Sequence, residues 1–99
     1  MLTFATTARF RRDYQKLTAA QRERLRKIVI TEFAPDAEGG RFRPGLRVKG
    51  VQGAPGVYEM TWAPNGRATW QYGEEQPPGV PHVIWRRVGT HAILDPGAP

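Results

Sequence analysis

Apolar and polar positions recur at two different periods along this chain, and the change of period divides it into a helical half and a strand half. Phe10, Tyr14 and Leu17 fall at i, i+4 and i+7, which predicts one apolar face on a helix opened by Thr6 or Thr7 and running to about Leu17. Leu2 to Ala5, just before it, predicts a short first strand. Thr18-Ala-Ala-Gln21 has the pattern of a capping box. It closes the first helix and opens a second from Ala19 to about Phe33, with Leu25, Ile28, Val29 and Phe33 as its apolar stripe. Two amphipathic helices with so short a link form an antiparallel hairpin. Ala34 to Pro44, punctuated by Pro35, Gly39, Gly40 and Pro44, is expected to be loop.

Beyond Pro44 the period is two. Leu46 and Val48 alternate with Arg47 and Lys49, which predicts a strand half-buried against the helices. Gly50 to Gly56 turns the chain. Val57 to Trp62 then places Tyr58, Met60 and Trp62 on one face and Glu59 on the other, and Arg67 to Tyr72 repeats this with Ala68, Trp70 and Tyr72. Between them, Pro64-Asn65-Gly66 is the best hairpin signal in the chain. After a loop from Gly73 to Pro81, a strand from His82 to Val88 leaves through Arg86 and Arg87 into a Gly89-Thr90-His91 turn. The predicted architecture is α+β: an N-terminal strand and an antiparallel helical hairpin packed on one face of a three- to four-stranded antiparallel sheet. Trp62, Trp70 and Trp85 are expected in the core. The open face is expected to carry Arg47 and Lys49, with Glu59, Arg67, Thr69 and Gln71 beside them.

Composition narrows the chemistry. Ninety-nine residues are read as one domain, 1–99, able to bury about 60 to 65% of the unfolded chain's surface. The absence of cysteine excludes a disulfide framework, a thiolate zinc site and cysteine catalysis. No run approaches the ~18 apolar residues of a membrane span, and the first residues lack the order of a signal peptide. No membrane association and a cytoplasmic location are therefore expected. Fifteen Lys and Arg against nine Asp and Glu give a formal charge of +6. Most of the bases are arginine, which suits bidentate phosphate recognition, although charge alone leaves nucleic acid, an acidic protein partner and solubility open. His82 and His91 with scattered carboxylates lack ligand spacing, so no metal or other cofactor is expected. His82 follows proline and reads as a loop-end residue. Histidine as a residue type changes charge near neutrality, and His91 is the acid–base candidate.

Four segments then carry a resemblance. Phe10-Arg-Arg-Asp-Tyr14, Pro44-Gly-Leu-Arg-Val-Lys49, Gly56-Val-Tyr-Glu-Met60 and Ile84-Trp-Arg-Arg-Val-Gly-Thr-His91 resemble, in order and spacing, the RelE/ParE superfamily of toxins from type II toxin–antitoxin systems. The closing Gly-Thr-His is most similar to the branch of YafQ-like messenger-RNA endonucleases. The resemblance implies a small α+β domain that enters the A site of the 70S ribosome, contacts ribosomal RNA, cuts messenger RNA there and is neutralised by a cognate antitoxin. Carried over by position, it falls on His91 and on the basic residues Arg47 and Lys49; cleavage then needs positive charge at the phosphate, for which Lys49, Arg47 and either Arg86 or Arg87 are the candidates. Glu59 is either a second proton carrier or the partner of Lys49 or Arg67 across the sheet. Arg43, Arg67, Arg86 and Leu94 are expected to meet RNA. Leu94 lies where the family often places an aromatic residue to stack on a base, and no aromatic residue follows Trp85. Two other readings remain: a ParE-like inhibitor of DNA gyrase, which needs no acid–base residue, and a catalytically inactive RNA- or protein-binding relative, consistent with the missing aromatic.

Overall fold

The first helix opens where its spacing predicts, because the Thr7 hydroxyl accepts the Phe10 amide at 3.0 Å and so satisfies one of the free N–H groups of the first turn. In the computed structural model, which describes residues 2–94, this helix is α1, Ala8–Lys16. The capping box forms as expected: Thr18 Oγ1 accepts from the Gln21 amide at 3.1 Å, and Gln21 Oε1 accepts from the Thr18 amide at 2.8 Å. It starts α2, Ala19–Ile28. The Arg22 guanidinium turns back onto α1. It donates to the carbonyls of Tyr14 and Gln15 at 3.1 and 2.8 Å in the last turn of that helix.

The second helix does not stop at Phe33. A π-helical turn, Val29–Phe33, is followed directly by α3, Ala34–Gly39, so the segment expected to be loop from Ala34 is largely helical. Pro35 explains both the expectation and its failure. Proline inside an α-helix removes a hydrogen bond and clashes with the carbonyl four residues back. The wide turn offsets the register by one residue, with the Ala34 amide reaching the Val29 carbonyl, and places Pro35 in the first turn of α3, where its missing N–H does no harm. Gly40, at φ +75°, ends the helix in the left-handed conformation that glycine adopts freely.

The sheet has five strands in the order β1 (Thr3–Thr6), β5 (His82–Thr90), β4 (Gly66–Tyr72), β3 (Val57–Ala63) and β2 (Lys49–Gly50). It is mixed rather than antiparallel. β1 runs parallel to β5 with Thr3 opposite His82 and Thr6 opposite Trp85; the Thr3 hydroxyl lies 2.7 Å from His82 Nδ1, a tie that gives His82 a structural place. The alternation that marks a segment as a strand says nothing about its neighbour, so this pairing is a property of the folded chain. The strand expected at 46–49 is also corrected. Pro44–Leu46 forms a 3₁₀ turn, Arg47 takes φ +50°, and only Lys49–Gly50 joins the sheet.

Trp70, Trp85 and Phe33 form the centre of the core, with the Phe33 ring 5.1 Å from Trp70 and 4.8 Å from Trp85 between centroids. Met60, Ala68, Val83 and Val88 surround them, fully buried. The helices therefore cover the sheet face predicted from the alternation, and all three tryptophans lie in the core. Thr69, expected on the open face, is fully covered instead, and Gln71 is half-buried.

Candidate active site

Glu59 and Thr61 project from β3 on the side away from Met60 and Trp62, because successive residues of a strand point to opposite faces. Arg67 of β4 pairs with Thr61, and Lys49 of β2 pairs with Glu59. These register positions bring carboxylate, ammonium and guanidinium to one edge of the open face. Arg47 approaches by another route. Its left-handed backbone, with the amide bonded to the Pro44 carbonyl at 3.0 Å, turns the chain sharply over buried Leu46 and delivers the guanidinium beside Lys49. For a residue with a Cβ this conformation costs about 1 kcal/mol.

The fifth group arrives from β5. Gly89 has no room for a side chain, since a Cβ there would lie 2.9 Å from Ile93 Cγ2. The absence of that Cβ lets the following 3₁₀ turn, His91–Leu94, fold back on the strand end. The His91 amide then donates to the Asn65 carbonyl in the β3–β4 turn at 3.1 Å. The result is a cleft of about 300 Å³ lined by Arg47, Val48, Lys49, Glu59, Thr61, Arg67 and His91. Three cations, one largely buried carboxylate and one imidazole face a common space. Among the described residues, the side chains of Arg47, Lys49, Glu59 and His91 make no hydrogen bond or ion pair within the protein. Arg67 is partly committed, its Nη1 donating to the Gly66 carbonyl at 3.0 Å.

The remaining candidates lie elsewhere. Arg43 grips Asp36 with Nε and Nη2 at 2.8 and 2.9 Å, and those hydrogen bonds hold the Asp36 carboxyl down to about 2. Leu94 ends the last turn and does not line the cleft. A β-bulge separates the two arginines of β5: Thr69 pairs with Arg87 and Trp70 with Trp85, so Arg86 is the extra residue. Arg86 reaches Gln71 Oε1. Arg87 is drawn to α1 instead, where Nε and Nη2 meet both oxygens of Asp13 at 2.9 and 3.0 Å.

Asp13 also accepts the Val88 amide at 3.3 Å. Burial raises its pKa, but the Arg87 and Val88 hydrogen bonds and the charges of Arg87 and Lys16 outweigh that and leave the carboxyl below its ordinary value. Asp13 was not among the residues singled out from sequence; its one signal is that it is the only acid in an otherwise basic helix. Thr61 was not singled out either; its signal is that it lies two residues from Glu59 on the same strand and so shares its face. A second, larger hollow of about 620 Å³ borders Arg87 to Thr90 on the helix side and is lined by Asp13, Lys16, Arg24, Trp62 and Ile93 among others. Among the described residues no three His, Cys, Asp or Glu stand together as a metal site would need, and no helix is long and apolar enough to cross a membrane.

No protein-family model matches the sequence, and no curated protein matches it. Solved structures do match along nearly the whole chain. A copper-bound mutant toxin from Helicobacter pylori superposes with a TM-score of 0.69 at 16% identity, covering 95% of this chain and 99% of that one. YafQ in the DinJ–YafQ toxin–antitoxin complex of Escherichia coli gives a TM-score of 0.67 at 14% identity, covering 95% and 97%. The RelBE2 toxin–antitoxin complex of Mycobacterium tuberculosis gives 0.60 at 18% identity, covering 91% and 98%. At these identities the likeness establishes the fold, and the fold is that of RelE/ParE-like toxins, YafQ among them.

Proposed function

We propose that this protein, which shares its fold with toxins of toxin–antitoxin systems, is itself the toxin of such a pair and a metal-independent endoribonuclease that cuts messenger RNA on the ribosome. The observation that carries this reading is the convergence of Arg47, Lys49, Glu59, Arg67 and His91 on one cleft, four of them with side chains uncommitted within the described residues. Hydrolysis of RNA starts with attack of a 2′-oxygen on the adjacent phosphorus. The P–O5′ bond breaks and a 2′,3′-cyclic phosphate is left. Glu59 accepts the 2′-hydroxyl proton and His91, protonated, gives one to the departing 5′-oxygen. Lys49, Arg47 and Arg67 hold the negative charge that grows on the phosphoryl oxygens, and this electrostatic contribution is commonly the largest in such reactions. Antitoxin complexes among the structural neighbours support a cognate partner here. Its inhibitory segment is acidic, disordered alone, and covers this cationic cleft on binding.

Mapping 5′ ends of a reporter message with and without translating ribosomes tests the reading. Ribosome-dependent cuts are expected, and His91→Ala lowers the single-turnover rate by about 10² or more. Lys49→Ala lowers it too, with a defect that changes with salt because a charge has been removed at the phosphate. Growth arrest with intact messages and altered plasmid supercoiling would replace this assignment with gyrase inhibition.

A further inference from the structure

The ion pair between Asp13 and Arg87 lies outside the cleft, yet it grips the strand that carries His91. Asp13 contacts β5 through three hydrogen bonds, two from the Arg87 guanidinium and one from the Val88 amide. The side chains of both partners are mostly covered, at 9% and 19% exposure, so the pair is shielded from the screening that makes surface pairs weak. It is attached just after the bulge, where the ladder interrupted at the extra residue Arg86 resumes with Arg87 opposite Thr69. Only Gly89 and Thr90 separate Val88 from His91. On the helix side this stretch borders the 620 Å³ hollow. On that side the carboxylate ties the strand end to α1, adding to the packing of Val88 and the ladder to β4, while the His91 amide bond to Asn65 holds it on the other.

We infer that Asp13 is a positioning residue: by clamping Arg87 and the Val88 amide it sets the end of β5, and with it the place of the His91 imidazole at the cleft. The inference rests on the endonuclease reading for its effect on rate, and on geometry alone for its effect on His91. A displacement of about 1 Å at a reacting group costs on the order of 10²-fold in rate. Loss of the clamp is therefore expected to lower turnover with little effect on RNA binding, since Asp13 does not line the cleft.

The experiment is a double-mutant cycle of Asp13→Asn and His91→Ala in the full chain, read by single-turnover cleavage of a ribosome-bound message and by binding of the same programmed ribosomes. Asp13→Asn alone should lower the rate about 10-fold or more at unchanged binding, and should add nothing once His91 is alanine, because its effect passes through that side chain. An equal loss in both backgrounds, or no loss, overturns the inference. The second readout is the NMR signals of the Thr90 and His91 amides and of the His91 ring, which should shift or broaden in Asp13→Asn. If His91→Ala cuts at the parental rate, the endonuclease assignment of His91 fails by itself. The clamp then stands or falls on the NMR result, and unmoved His91 signals overturn it. Asp13→Asn leaves the Arg87 charge without its partner, so the double variant Asp13→Asn/Arg87→Gln, which leaves no charge behind, serves where the single one does not fold. Asp13→Glu, which keeps the charge, should recover part of the rate.

Discussion

Arg47 and Gly66 show how single positions build the cleft for reasons that residue type alone misstates. The alternation at 46–49 predicts Arg47 as a strand residue on the open face; it reaches the cleft instead through a left-handed backbone, a conformation in which an arginine is strained and a glycine is not. Arg47→Gly is therefore expected to leave thermal stability unchanged or raise it by up to about 1 kcal/mol while lowering RNA cleavage. A melting midpoint well below that of the parent would show that the guanidinium, not the turn, holds this segment. Asn65-Gly66 signals a hairpin by the freedom of glycine to take positive φ, yet Gly66 has no positive φ. It is needed because a Cβ there would lie 2.7 Å from the Trp62 ring. Gly66→Ala forces a rigid indole to move, and a loss of about 1 to 3 kcal/mol in chemical denaturation is expected, as for other overpacked sites.

Among the elements, the helix starts and the end of the first helix were legible, and the end of the second was not. A cap is written in neighbouring residues, so Thr7 and Thr18 could be identified from the chain alone. The passage of the second helix through Pro35 depends instead on a wide turn whose stability comes from Phe33 wedged between Trp70 and Trp85, residues far along the chain. Thr18→Ala removes one half of the capping box and should cost about 1 kcal/mol in an equilibrium melt. Cleavage at saturating ribosomes should not change, since Thr18 does not line the cleft. This variant also measures how much cleavage responds to a plain loss of stability. The cleft forms although 44–46 is a 3₁₀ turn rather than strand, because Lys49 still pairs with Glu59, and that rung places the two charges together.

At the scale of the molecule, two carboxyls couple the fold to acid. Asp36 is held to about 2 by Arg43, and Asp13 below its ordinary value by Arg87 and Val88. Each binds a proton less readily in the folded chain than in the unfolded one, so the stability it lends is whole above about pH 4 and drains away as the pH falls toward the folded values. Urea midpoints should be level above about pH 5 and fall below about pH 4, with a shallower fall in Asp13→Asn; an identical acid slope in that variant would remove Asp13 from the effect. The open-face cleft was legible because its members sit on neighbouring rungs or in one motif. The Asp13–Arg87 clamp was not, because it joins positions 74 apart that no local pattern relates. The parallel pairing of β1 with β5 joins positions still farther apart, Thr3 with His82 and Thr6 with Trp85. It sets an order of events: β1 has no partner in the sheet until β5 has been synthesised. Closure of the sheet must then bridge almost the whole chain, a high-contact-order step that slows folding. Until that step is complete the outer edge of β5 stays an open row of backbone donors and acceptors, available to any other strand that meets it.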